Sequence, residues 1–361
     1  MESVDAEEEK SESQANGFIG VHVGAGFFSR KLQKEYRELC ERACLKGVEI
    51  LKNGGSSMEA ASAATTLLEN SELSNAGVGS NLTFNGRVEC DASIMDGQTM
   101  NVGSVGAVPG VKNPILLAKR ICERQQQKLP CGLVPPSFLV GKGAYLWAKS
   151  NSVETVEPKS MISIKSLRQY KHYKRKLKMH TEAPLLKNAR LDTVGVVCID
   201  QSGHLAATSS SGGIILKHPG RVGQAAVFGC GCWAEDGKND ESGVATSTSG
   251  CGEHLIRTCL ARTVANAVKA DCSTQGVYNA IYNGCLNRKT VSTAERACGV
   301  IVLRCGENEK FEFMWAHSTN SMCVGYMSTD NKEPFSRLSR LPPEKQPGNT
   351  ILVEGICCDS K

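Results

Sequence analysis

Two strand-like runs around a single turn constrain this chain more than any other feature. TVGVVCID (193–200) and HLAATSSS (204–211) are rich in β-branched and small residues. They flank Gln201-Ser202-Gly203, a three-residue loop with glycine where a hairpin wants positive φ. A turn centred on Ser202 sets Thr193 opposite Ser211, at the ~4.5–5.5 Å Cβ separation of antiparallel neighbours. Two hydroxyls then meet at one end of a sheet, just before Gly212-Gly213. A glycine pair there lets a ligand approach the backbone. A slip of one residue would separate the hydroxyls.

The rest of the chain supplies material for layers on both sides of such a sheet. FIGVHVGAGFF (18–28) reads as a buried strand running into a glycine-rich turn. Residues 31–53 show helical spacing and stop at Gly54-Gly55. Ser56 and Glu59 form a capping box for the next helix, and Asn113-Pro114 is expected to cap and start another. In 75–97 a glycine turn precedes the strand VECDASIM and a turn at Asp96-Gly97. One helix from about Glu253 to Lys269 carries Leu255, Ile256, Leu260, Val264, Ala267 and Val268 on its apolar face. CGVIVLRC (298–305), KFEFMWAH (310–317) and SMCVGYMS (321–328) read as a meander. With 361 residues, 40% of them hydrophobic, the chain can bury a sizeable core in a two- or four-layer α/β arrangement.

Charge is uneven. MESVDAEEEKSESQ is acidic and lacks an apolar segment, so residues 1–16 read as a disordered tail without a secretory signal. No apolar run is long enough to span a bilayer, so no membrane partner is expected. The 17 cysteines are then read as reduced thiols of the cytoplasm or nucleus. Cys230-Gly-Cys232 and Cys357-Cys358 lack a matching pair or clustered histidines, which favours packing thiols over metal ligands. Lys159 to Arg190 holds one carboxylate, Glu182, and culminates in KHYKRKLK (171–178). Such a block reads as a mobile, self-repelling loop, suited to a nuclear-import receptor or to an exposed, cleavable connector. No nucleic-acid-binding fold accompanies it, so direct nucleic-acid binding is not expected.

G-x-S-x-G, H-E-x-x-H and Walker-type signatures are absent. A threonine at the start of a strand is by itself most often structural. HVGAG (22–26), NAGVGSNLTFNGRVECDASIMDG (75–97), DTVGVV (192–197), SSSGG (209–213), KHPGRVGQAA (217–226) and TSGCGE (248–253) change its standing. Together and in this order they resemble the type-2 asparaginase family of N-terminal-nucleophile hydrolases. GCGCWAE (229–235), TSTSGCGEHL (246–255) and SMCVGYMS resemble its threonine-aspartase (taspase) branch. The resemblance runs from about Gly17 to Gly355.

That resemblance implies a four-layer αββα sandwich and a chain that cuts itself between Asp192 and Thr193. One part, 17–192, would carry the basic loop 159–190; the other, 193–361, would begin with the nucleophile. Freed, the α-amine of Thr193 has a reference pKa of about 7.7–8.0 and can act as its base. Ser211 would orient Thr193, and Ser249 and Gly250 would form the oxyanion hole. Gly24 and Asn75 would line the site, and Arg221 would clamp a substrate carboxylate. Asparaginases carry aspartate where this chain has Gln224. An amide both donates and accepts, which suits a peptide bond better than a free α-ammonium. The expected activity is therefore a threonine endopeptidase cutting proteins after aspartate, with no cofactor. Leu191 before Asp192 suggests an apolar residue before the target aspartate. The branch implies nuclear transcription regulators as substrates, a nuclear and cytoplasmic location, and a dimer of heterodimers. The alternatives are an asparaginase or isoaspartyl peptidase, and an inactive scaffold recruiting partners through the basic loop.

Overall fold

The computed structural model describes residues 16–179, 192–238, 241–287, 292, 295–306 and 311–358. All of the acidic tail but Asn16 lies outside the described residues, as do 180–190 of the basic stretch and Leu191.

The first strand explains why the chain has strand-like runs without alternation. β1 (Phe18–Gly26) is buried along its whole length. Ile19, Val21 and Val23 pack on the helix side, while Phe18 and Ala25 join the core between the sheets. A strand covered on both faces must be apolar or small at every position. The same holds for β5 (Val194–Ile199) and β6 (Leu205–Ser211). With β2 (Cys90–Asp96), β3 (Val102–Val108), β4 (Phe138–Val140), β11 (Ser321–Ser328) and β12 (Phe335–Arg340) they form an eight-stranded sheet. Its order is β12-β11-β1-β5-β6-β2-β3-β4. A second sheet is ordered β13-β10-β9-β8-β7, from Leu352–Cys358, Phe311–His317, Cys298–Cys305, Gly243–Gly250 and Cys232–Glu235.

Helices cover both outer faces. α1 (Gln33–Lys52) lays Leu39, Ala43, Leu51 and their neighbours on the first sheet. α2 (Ser57–Glu69) opens with the expected capping box: Glu59 N–H donates to Ser56 Oγ at 3.3 Å, and Ser56 N–H to Glu59 Oε2 at 2.9 Å. α3 (Pro114–Arg124) and α4 (Gly141–Ser150) cover the β2–β3 end, while α7 (Leu260–Ala270) and α8 (Ser273–Ile281) cover the second sheet. The result is the expected four-layer αββα sandwich.

Four expectations need correction. The helix 253–269 is broken into α6 (Gly252–Thr258) and α7 by Cys259, whose φ of 44° and ψ of 49° are left-handed. The apolar spacing continues across the break, which hides it in the sequence. The meander fails because β9 and β13 occupy both edges of β10, so β11 crosses to the first sheet and pairs with β1 and β12. Asn113 stands at the N-cap position before Pro114, as expected, but its side chain makes no capping bond; its amide donates to Glu69 Oε2 (3.2 Å) and Asn70 Oδ1 (3.1 Å). Glu69, from the end of α2, accepts the Ile115 N–H instead at 3.0 Å.

The fourth concerns the basic stretch, read as a mobile loop. Residues Ile164–Lys178 form α5, capped by Ser163. Two of its cations reach acceptors on neighbouring segments. Lys165 Nζ donates to the carbonyls of Glu72 (2.6 Å) and Leu73 (3.1 Å). Lys174 donates to Phe84 O at 2.9 Å and sits over the Phe84 and Tyr170 rings. Carbonyl and aromatic acceptors thus offset a charge density that argued against a helix.

Gly195 sits where the two sheets press together. A Cβ there would lie 1.9 Å from Ser247 Oγ and 2.7 Å from His22 Nε2. Gly195→Ala is expected to destabilise the fold by about 1–3 kcal/mol, the usual range for overpacking. Urea unfolding checks this, and an unchanged midpoint would contradict the close approach.

Candidate active site

The β5–β6 ladder pairs Val194 with Ser210 and Ile199 with Leu205. One step beyond its open end, Thr193 faces Ser211, and Thr193 Oγ1 donates to Ser211 Oγ at 3.2 Å. Ser211 Oγ also accepts the Gly213 N–H at 3.0 Å. Gln224 Nε2 donates to Thr193 Oγ1 at 3.0 Å, so the hydroxyl both gives and receives. Thr193, Ser211 and Gln224 are each buried.

Gln224 arrives on a short turn after Arg221-Val222-Gly223, held by a carboxylate absent from the sequence-based candidates. Asp91, buried in β2 opposite Ser211, accepts the Gly223 N–H on Oδ2 and the Ala107 N–H on Oδ1, both at 2.8 Å. Its signal in the sequence was an acid set among small and apolar residues in the strand VECDASIM.

Asp192 is buried as well and passes directly over Gly24. At Gly24 φ is +119°, and a Cβ would stand 2.5 Å from Asp192 Cα. No side chain fits there, and L residues seldom adopt that backbone. Asp192, Thr193, Ser211 and Gln224, with Arg221 and Gly250, line one cleft. It leaves about 10 Å³, on the order of one water molecule.

Asn75 also lines the cleft, but its bonds hold the loop. Its Oδ1 accepts the Asn81 N–H (2.8 Å), its Nδ2 donates to Gly213 O (2.9 Å), and its carbonyl accepts the Gly212 N–H (2.7 Å). The space at Gly212, expected to admit a ligand, is taken by Ser80, 2.4 Å from where a Cβ would be. Gly213 does line the cleft. Ser249 lies buried in β8, where its Oγ accepts the Ala25 N–H at 3.1 Å and so ties down the HVGAG turn. Arg221 is bound edge-on to Glu253, from Nε to Oε1 at 2.8 Å and from Nη2 to Oε2 at 2.9 Å. Glu253 was not singled out, although it closes the TSGCGE motif. Cys230 and Cys232 are buried separately, with Cys230 Sγ near Phe228 O and Cys232 Sγ near Ser93 Oγ.

His22, from the HVGAG motif, is fully buried behind Thr193. Ser247 Oγ donates to Thr208 O at 2.8 Å, so the 3.0 Å contact with His22 is best made by a protonated Nε2. Burial pulls the His22 pKa down to about 3, against a smaller opposing pull from the Thr193 backbone. The ring is therefore neutral near pH 7.

The uncut arrangement can orient the Thr193 hydroxyl and relay its proton to Ser211. It has no free amine, because the nitrogen of Thr193 is still the amide following Asp192. Glu69, buried behind β6, accepts from Ser210 Oγ at 2.6 Å, and burial raises its pKa to about 7 despite that bond.

Comparison with known proteins places the site within a matched stretch. An asparaginase family model matches residues 16–335. An isoaspartyl peptidase/L-asparaginase of Xenopus laevis is 36% identical over 246 residues, 68% of this chain and 74% of that protein. Its Bos taurus counterpart is 36% identical over 266 residues, 73% and 81%. An isoaspartyl peptidase of Escherichia coli (strain K12) is 34% identical over 255 residues, 68% and 75%.

The low pKa of His22 has a consequence for acid stability. The unfolded chain, with an ordinary histidine near 6.5, binds the proton more readily than the folded one. The contribution is therefore intact above pH 6.5 and falls away toward pH 3, at up to about 1.4 kcal/mol per pH unit. Denaturation of His22→Asn beside the parent over that window is expected to show a shallower pH slope. Equal slopes would contradict it.

Proposed function

The chain belongs to the type-2 asparaginase family of hydrolases, and from that membership we propose that it is a self-processed threonine endopeptidase that cuts proteins after aspartate. Thr193 is the nucleophile and its freed α-amine the base. The observation that carries this reading is Gln224, a neutral amide buried in the cleft and bonded to the Thr193 hydroxyl. An aspartate at this position, as in the asparaginases the sequence resembles, would answer a free α-ammonium. A peptide bond has no such charge, and an amide can both donate to it and accept from it. Arg221 is then left for the aspartate side chain, a task that suits its forked donors.

In the first turnover the chain is its own substrate. Thr193 Oγ1 attacks the carbonyl carbon of Asp192 while its proton passes to the Ser211 side. The bond to the Thr193 nitrogen breaks, and that nitrogen takes up a proton to become the amine. Water then hydrolyses the Asp192 ester and regenerates the hydroxyl. In later turnovers the amine accepts the Thr193 proton, and a protein aspartate takes the place of Asp192. Before the cut there is no free α-amine and Asp192 fills the substrate's place, so the uncut chain is inert toward other substrates. Leu191 before Asp192 supports an apolar residue before the target. The basic helix α5 supports nuclear import, nuclear regulators as substrates and a division between nucleus and cytoplasm. The mature enzyme is proposed to be a heterodimer of 1–192 and 193–361, paired again into a dimer of heterodimers.

A second reading has support in the relatives' names: release of ammonia from asparagine, or cleavage of isoaspartyl peptides. Cleavage of a Leu-Asp peptide, its Leu-Asn counterpart and free asparagine by the same preparation separates the two. The peptidase reading expects the Asp peptide to be fastest, and faster turnover of free asparagine would sink it. Gln224→Asp is expected to lose at least about tenfold in kcat/KM on the Asp peptide, or about 1.4 kcal/mol.

A further inference from the structure

We infer that Glu253 is the positioning residue of the acid-recognising subsite: by holding one edge of the Arg221 guanidinium it turns the other edge into the cleft, toward the substrate's carboxylate. The inference rests on the proposed peptidase reading for the identity of that carboxylate, but not for the geometry.

A guanidinium has five N–H donors in a rigid plane. Glu253 takes one on Nε and one on Nη2, the pair that shares the side edge. The remaining donors, on Nη1 and Nη2, form the end of the fork. That end sits among glycines. Nη1 is 2.9 Å from where a Cβ on Gly213 would be, and Nη2 is 2.6 Å from that on Gly252. Both glycines line the cleft with Arg221. The absence of side chains is what lets the fork reach the site.

Arg221 is only 14% exposed, whereas Glu253 is half exposed at the first turn of α6. The carboxylate can therefore remain hydrated on its outer side while it anchors the arginine. Burial pushes the Glu253 pKa up, but the hydrogen bond and charge of Arg221 outweigh it and hold the group ionised below its usual range. A long arginine without this anchor has several rotamers open to it and would spend little time aimed into the cleft.

The same geometry yields selectivity. A carboxylate meets the free fork with two acceptor oxygens, whereas a carboxamide offers one oxygen and an NH₂ that faces an N–H. Preference for Asp over Asn should then depend on Glu253, which never touches the substrate. Were Glu253 instead a competitor occupying the substrate's place, its removal would tighten binding.

The test uses the full chain after self-cleavage, as parent, Glu253→Ala and Glu253→Gln. KM and kcat are read on Leu-Asp and Leu-Asn peptides. Calorimetry reads the affinity for two probes, N-acetyl-leucyl-aspartate and free L-aspartate. Glu253→Ala is expected to raise KM on the Asp peptide at least about tenfold, with kcat within about twofold and a lower Asp-over-Asn ratio. Glu253→Gln is expected to fall between, because one oxygen still accepts from Nε. A lower KM, an unchanged KM and ratio, or a joint fall of kcat and melting temperature each overturn the inference. Failure of the peptidase reading shows separately, as a parent that does not cut the Asp peptide. The L-aspartate arm then decides: about tenfold weaker binding by Glu253→Ala supports the positioning role. Equal binding, or no binding by the parent, overturns it.

Discussion

The register of one hairpin underlies everything described at the site. Thr193 meets Ser211 only because β5 and β6 pair in the frame that sets Val194 beside Ser210. Asp200 fixes that frame at the turn: its Oδ1 accepts the N–H groups of Ser202 (3.0 Å) and His204 (3.1 Å). Its Oδ2 accepts the Ser57 N–H at 2.9 Å and ties the turn to the start of α2. Packing guards the same register. Val194, Val196 and Cys198 face the helices while Val197 and Ile199 face the second sheet, so a one-residue slip would exchange two differently shaped surfaces.

From that register the uncut chain acquires its logic. Asp192 precedes the strand and lies in the cleft over Gly24, so the residue expected of a substrate already occupies the site. Around it the polar groups are committed. Asp91 holds the Gly223 turn, Ser249 holds the HVGAG turn, Asn75 holds Gly212-Gly213, and Glu253 holds Arg221. This division leaves Thr193, Ser211 and Gln224 as the connected trio around one hydroxyl. Such preorganisation costs no rearrangement at the moment of reaction.

What the sequence disclosed and what it hid divide along contact range. The hairpin, the capping box at Ser56 and Glu59 and the burial of β1 follow from neighbours within a few residues, and all were legible. So were the residues of the cleft, because short glycine-bearing motifs carry them. The break at Cys259 was invisible, since the apolar spacing continues through it. The crossing of β11 depends on which strand edges remain open, a property of the assembled sheets. α5 was concealed by its charge, which acceptors some 90 residues away in sequence satisfy. Asp91 and Glu253 were missed for a related reason. Each is an acid whose partner lies tens to more than a hundred residues along the chain.

The chemistry proposed here requires that an ordinary amide nitrogen become a free amine at one defined residue. Intact mass spectrometry of the purified protein, with N-terminal sequencing of any smaller species, measures this directly. The expected result is two polypeptides, 1–192 and 193–361, the second beginning Thr-Val-Gly-Val-Val, with Thr193→Ala remaining one chain. A parent that stays intact under the same conditions, or one whose second piece begins at another residue, would contradict Thr193 as an N-terminal nucleophile.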